Sequence, residues 1–284
     1  MSWQGKILRV NLTTHEITPE ALNMEWANDY IGERGLGTKY LWENMDPKAD
    51  AMAPDNVLIF ATGPLTGTNA STSGRYAVIT KSPLTGAIAC SNSGGKFGAE
   101  LKYAGFDLLL VEGQSEKPVY LLIEGDEISL APAEKIWGKT VWETDEWIKK
   151  QHHNPMLKIA TIGIAGERGA RYASVVNDLH RAAGRSGVGT VMGSKNLKAV
   201  AVRGTGGVKV KDPKRFMTVT QEMKNLLAEH TGGLTKYGTN AMMDTMQEFG
   251  GLPTRNFQEV QFEGADKVDA KAMMKTDDTG HTNL

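Results

Sequence analysis

Glycine falls in this chain in short clusters beside arginine, lysine and amide side chains, and that pattern constrains the fold more than any other feature. The 32 glycines in 284 residues exceed the roughly 7% usual for soluble proteins. Clusters of this kind mark backbone that needs unusual dihedrals or close approach to a ligand. Three segments stand out. The first is Thr72-Ser73-Gly74-Arg75-Tyr76. The second, Ser91-Asn92-Ser93-Gly94-Gly95-Lys96-Phe97-Gly98, leads into a predicted helix. The third, residues 181–198, begins Arg181-Ala182-Ala183-Gly184-Arg185 and holds two Arg, two Lys and four Gly. Glycine lets backbone N–H groups approach an anion, a helix N-terminus supplies oriented donors, and arginine adds charge-assisted pairs to phosphate. Taken singly, the first two segments read as an ordinary turn and loop; the third is denser and favours neither reading.

The familiar nucleotide motifs do not fit. Gly189 and Gly193 precede Ser194-Lys195, the wrong spacing and order for a phosphate loop of the G-x4-G-K-[ST] type. Gly187-x-Gly189 is followed by Met192 where a dinucleotide fingerprint needs its third glycine. An ATPase or a dinucleotide dehydrogenase is disfavoured. The 32 Lys+Arg nearly balance 33 Asp+Glu, so no bulk field draws the chain to nucleic acid or an anionic membrane. The single cysteine, Cys90, excludes an intrachain disulfide and a Cys-rich metal site within this sequence; it reads as a small buried residue. The N-terminus lacks a signal-peptide pattern, and no apolar run approaches the ~20 residues that span a bilayer. A cytoplasmic protein is the expectation.

The first two hundred residues read as short strands bounded by turn residues, near 6–12, 57–61, 75–80, 87–90, 107–112, 119–124, 158–162 and 199–203. Helices are expected over 95–104 and 141–151. This mixture, without regular βαβ alternation, gives an α+β class. No repeat at a solenoid period is visible. Gly204-Thr205-Gly206-Gly207 marks a domain boundary, giving domains over 1–207 and 208–284. In the second, Asp212 and Pro213 suit the N-cap and first turn of a helix, and another helix is expected over 235–249.

Together these segments identify a family. The run from Arg181 to Ala199 resembles the signature of the aldehyde ferredoxin oxidoreductases. Gly5-Lys6-Ile7-Leu8-Arg9-Val10-Asn11-Leu12-Thr13 is similar to that family's opening strand. Gly32-Glu33-Arg34-Gly35-Leu36-Gly37, residues 61–67, 92–95, 101–107 and 162–167 also match, in family order. The resemblance implies an N-terminal two-sheet pterin-binding domain followed by the start of a helical domain. It implies a tungsten held by the dithiolene sulfurs of two pyranopterins, whose phosphates share a magnesium ion. By matching motifs, Arg75, Asn92, Gly94, Arg181, Ala182, Gly184 and Arg185 would contact this tungsten-bis(pyranopterin), and the backbone carbonyls of Asn92 and Ala182 would face the magnesium. The implied partners are an aldehyde substrate and ferredoxin or another electron-transfer protein, and a homodimer is compatible with the family.

The same resemblance implies a 4Fe-4S cluster and acid/base residues that this sequence lacks. No catalytic residue is expected within it. It therefore reads as the platform of an oxidoreductase, from a truncated or split gene. The alternatives are the tungsten subunit of an aromatic-thioester reductase and a non-catalytic pterin-binding domain. Several tempting residues read as structural. His152-His153 would end a surface helix, and His180 would orient or pack beside the third segment. Trp137, Trp142 and Trp147 would pack. Glu143, Asp145 and Glu146 would form a solvated acidic first turn. His281 falls in an unpatterned tail.

Overall fold

A computed structural model describes residues 2–125 and 127–275; the tail with His281 lies outside the described residues. The chain divides into two compact units, Met1–Phe216 and Met217–Leu284.

In the first unit, β1 (Lys6–Asn11), β2 (Glu16–Ala21), β3 (Leu58–Thr62), β4 (Tyr76–Lys81), β5 (Ile88–Ser93) and β6 (Leu108–Glu112) form one six-stranded sheet in the order β2-β1-β6-β3-β4-β5. The second sheet contains β7 (Val119–Glu124), β8 (Glu127–Pro132), β9 (Lys158–Thr161), β10 (Val175–Asn177), β11 (Arg181–Ala183) and β12 (Leu197–Arg203), in the order β11-β10-β9-β12-β7-β8. Read from its other edge, the second order is the first one over again. Each half is a hairpin, then a three-strand meander, then a returning strand inserted between the two. The returning strand is parallel to the first strand of its half, as β6 is to β1 and β12 to β7. The remaining pairings are antiparallel.

The inner strands carry near-continuous apolar runs because both faces of each sheet are covered. Leu8, Phe60, Val78 and Leu109 of the first sheet share one cluster with Leu121, Ile123, Val175 and Val200 of the second. The sheets thus meet face to face. The outer face of the first sheet, including Ile59, Ala77 and Leu110, packs on Leu36, Tyr40 and Leu41. These belong to α2 (Glu33–Asn44), which follows α1 (Met24–Tyr30). The outer face of the second sheet packs on Ile148 of α4 (Val141–Gln151), whose start is fixed by a capping box between Thr140 and Glu143.

Two short helices lie in the layer between the sheets. α3 (Phe97–Tyr103) joins β5 to β6, and α6 (Val188–Ser194) joins β11 to β12. Their residues Phe97, Leu101, Val191 and Met192 are buried in the shared cluster. A turn of helix, α5 (Ile164–Glu167), packs beside α6. Two buried ion pairs each have one member at a matching strand position. Asp107, whose carbonyl accepts the N–H of Thr62, pairs with Lys102 at 2.6 Å. Lys198, whose carbonyl accepts the N–H of Ile162, pairs with Glu167. The matching strand position thus holds the acid in one half and the base in the other, and the partners come from non-equivalent helices, Lys102 from α3 and Glu167 from α5.

The second unit takes up α7 (Pro213–His230), which begins in the first. Asp212 Oδ1 caps it, accepting the Arg215 N–H at 3.0 Å. The single helix expected over 235–249 is instead α8 (Gly232–Tyr237), a 3-10 turn (Gly238–Met242) and α9 (Met243–Glu248). Gly238, at φ +61, breaks it. A second 3-10 turn (Ala265–Lys267) and α10 (Ala270–Met273) complete the described part. Leu226, Phe249 and Phe257 are exposed.

Three structural readings of side chains need comment. Trp142 is 55% exposed, so it does not pack as expected; it lies on the outward face of α4, while Trp147 stacks edge-on against Tyr120. Asp145 is buried and pairs with Lys149, so the acidic turn is only partly solvated. His152 caps α4 and shares a hydrogen bond of 2.7 Å with Tyr120.

Candidate functional site

The meanders place their last strands, β5 and β11, side by side, and that contact brings the glycine segments together. Each strand runs out through a glycine turn into an inter-sheet helix. Pairing registers show how closely the two exits correspond. Asn92 lies opposite Ala77, and Ala182 lies opposite Val176. Ala77 and Val176 are themselves matched through Ala61 and Thr161. Asn92 and Ala182 therefore hold the same position in their halves, and so do Gly94 and Gly184, two residues on. Gly95 (φ +92) and Gly187 (φ +71) supply the left-handed step before each helix.

The first segment joins them from the β3–β4 connection. A Cβ on Gly74 would overlap the Gly95 carbonyl oxygen, and one on Gly98 would press on the Arg75 carbonyl oxygen at 3.3 Å. The third segment is tied to the second where Ser91 Oγ accepts the Arg185 N–H at 2.9 Å. The neighbourhoods of Arg75, Asn92 and Arg185 thus form one continuous surface.

Gly94 and Gly184 need a different explanation from Gly74. Neither has the positive φ that favours glycine. A Cβ on Gly94 would meet nothing within 4 Å, and one on Gly184 only the Ala182 Cβ at 3.9 Å. Protein packing does not demand glycine at either position, so the space before them is open to a ligand that approaches the backbone. Arg75, Arg181 and Arg185 are exposed at its margin. Among the described residues, the guanidinium groups of Arg181 and Arg185 make no hydrogen bond or ion pair to protein. Free guanidinium groups around bare backbone suit an anion.

Sequence reasoning missed three contributors. Glu33 opens α2 at φ +41 and accepts from Asn92 Nδ2 at 3.4 Å. Burial raises its carboxyl pKa, against the opposing pull of Arg75 and Arg34. Asn177 and Asp178 lie beneath the loops: Asn177 is 1% exposed and makes four hydrogen bonds, and Asp178 accepts the Lys96 N–H at 2.7 Å. The matched Gly32-Glu33-Arg34 motif carried a signal for the first. Asn177-Asp178 stands just upstream of the third segment and carried none in its composition.

Two clefts are lined by other residues, the second of them adjoining Ser186 and Gly187. One, of about 480 Å³, is lined by residues including Thr13, His15, Ser115 and Pro132. Another, of about 540 Å³, is lined by residues including Lys48, Lys81 and Arg171. None of the expected cofactor residues lines either. Among the described residues, no group of three or more His, Cys, Asp or Glu is placed to hold a metal ion, and no helix is long and apolar enough to cross a membrane.

Residues 7–204 match the N-terminal domain of aldehyde ferredoxin oxidoreductase, and residues 218–283 match domains 2 and 3 of the same enzymes. The chain belongs to the aldehyde ferredoxin oxidoreductase family. It is 52% identical over 272 residues to the tungsten-containing aldehyde ferredoxin oxidoreductase of Pyrococcus abyssi, covering 95% of this chain and 45% of that protein. The enzyme of the same name from Thermococcus kodakarensis is 51% identical over the same share of both chains. An aliphatic sulfonate oxidoreductase subunit of Pyrococcus furiosus is 32% identical, covering 91% of this chain and 44% of that one. Among solved structures, the active-site complex BamBC of benzoyl coenzyme A reductase superposes with a TM-score of 0.79 at 38% identity, over 81% of this chain and 36% of that one. The chain thus spans less than half the length of the relatives it matches.

Proposed function

We propose that this chain is the cofactor platform of a tungsten-dependent oxidoreductase that converts aldehydes to carboxylic acids. The observation that carries the proposal is the convergence of the two matched strand exits, with Gly94 and Gly184 leaving open space beside exposed arginines. The site residues fit a paired, phosphorylated ligand. Asn92 and Ala182 occupy equivalent positions in the duplicated halves, and their backbone carbonyls would face a shared magnesium ion. Arg181 and Arg185, free of protein partners, would neutralise phosphate. Arg75, beside Glu33, would contact a pterin.

When bound, the tungsten-bis(pyranopterin) would supply the two-electron redox chemistry. In the intact enzyme an aldehyde and water would yield the carboxylic acid, two protons and two electrons, and ferredoxin or another electron-transfer protein would take the electrons. This chain's contribution is placement: backbone and guanidinium donors hold the cofactor's phosphates, and the inter-sheet helices fix the two loops against the core. The aldehyde reading rests on relatives that are 51–52% identical, against 38% for the benzoyl coenzyme A reductase complex. The test is tungsten and pterin content. Arg181→Ala and Arg185→Ala should each lower both in the purified protein. Unchanged content in both variants would remove the assignment of this surface.

A further inference from the structure

The duplicated halves leave one problem unsolved by their symmetry: two loops on different sheets must be held at a fixed separation. Asn177, at the end of β10, bears on that problem. Its Oδ1 accepts from Tyr76 Oη at 3.0 Å and Ser93 Oγ at 2.6 Å, and its Nδ2 donates to the Gly94 carbonyl at 2.9 Å and Asp178 Oδ2 at 2.8 Å. Three of these partners belong to the other half of the fold. The amide orientation is forced, because the Gly94 carbonyl and the Asp178 carboxylate can only accept. Burial raises the Tyr76 pKa further above its usual value, so its hydroxyl remains a donor. The matching position in the first half is Val78, an ordinary core side chain. The amide is therefore a one-sided addition to a symmetric frame.

Asp178 extends the tie. Its Oδ2 also accepts the Lys96 N–H at 2.7 Å, at the start of α3. Asp178 (φ +47) and Leu179 (φ +63) are consecutive left-handed residues, and neither is glycine. Such positions are strained and persist where surrounding contacts over-determine them. Gly95 answers from the other side, because a Cβ there would collide with the Asp178 carboxylate.

We propose that Asn177 and Asp178 are positioning residues that set the separation between the Gly94–Gly95 turn of one half and the 181–185 loop of the other, and hence the span between the two halves of the cofactor site. The tie stands on the hydrogen bonds alone; its purpose rests on the cofactor reading above. Asp178→Gly is the informative variant. It removes the acceptor yet accepts the left-handed backbone, so the overall fold is retained. In the cofactor-loaded protein its tungsten and pterin content should fall severalfold with little change in melting temperature. Asp178→Asn, which keeps an acceptor and tolerates positive φ, should restore most of that loss. Asn177→Asp, which sets a carboxylate against two acceptors, should lose more than either.

A second readout is independent of the cofactor. Amide hydrogen exchange at Lys96 should quicken about tenfold or more in Asp178→Gly, as loss of a hydrogen bond to a charged group implies. Unchanged Lys96 protection overturns the tie itself. Quickened exchange with wild-type tungsten and pterin content overturns its role in placing the cofactor. A wild-type protein that carries no tungstopterin would instead refute the proposed function, leaving the exchange measurement to judge the tie.

Discussion

Gly74→Ala is the sharpest local test of loop convergence. A methyl group there would overlap the Gly95 carbonyl oxygen, closer than real Cβ atoms come to backbone. Gly95 cannot easily retreat. Its own Cα faces the Asp178 carboxylate, and its φ of +92 is confined by the turn into α3. With both sides blocked, the substitution behaves as overpacking against backbone, which costs typically ~1–3 kcal/mol, and the upper half of that range is expected. For a unit of this size each kcal/mol lowers the melting temperature by about 2–4 °C, so a drop of roughly 4–12 °C follows. Urea denaturation and thermal melting would measure it, with tungsten content read on the same samples. Stability and metal content equal to wild type would show that Gly74 and Gly95 are not packed together.

Other expectations follow from buried charge. Asp107→Asn leaves Lys102 buried without its counter-charge and weakens the caps on the Gln4 and Gly5 N–H groups; a loss of about 3–5 kcal/mol should appear in denaturant melts. Lys195 is fully buried, donates to the Pro54 and Gly113 carbonyls, and has its pKa pulled down to about 8 by burial, against Glu112 and Asp55. Because the unfolded chain holds that proton up to about 10.5, the unfolded state binds more protons between these values. Stability should therefore rise with pH from about 8 to 10.5, by at most roughly 3 kcal/mol. Lys195→Met should flatten this rise; an unchanged slope in that variant would contradict the assignment.

The strands that carry apolar runs, such as β3, β6 and β7, were legible because burial on both faces leaves a local mark. Edge strands β2, β8 and β11 bury less and left none. Helices α2 and α6 were hidden by their glycines, which resemble loop punctuation. The structure gives those glycines another cause. Gly37 lets α2 approach Ile79, whose Cδ1 would lie 2.6 Å from an added Cβ, and Gly189 and Gly193 let α6 approach backbone at Ser174 and Gly166. Such reasons are tertiary and cannot be read from neighbours in sequence. The same limit hid the duplication: the halves share strand order and loop position, while residues at matching sites differ, as Asn92 and Ala182 or Asp107 and Lys198 do. The glycine-arginine segments announced an anion site one by one; only the pairing of β5 beside β11 unites them.

Anomalous diffraction at a tungsten edge, from crystals of the metal-loaded protein, would test the central claim most directly. A tungsten peak is expected over the surface where Gly94 and Gly184 face open space, with phosphate density running toward Arg181 and Arg185. A peak in the cleft lined by Thr13, His15 and Ser115, or one remote from both β5 and β11, would contradict the account.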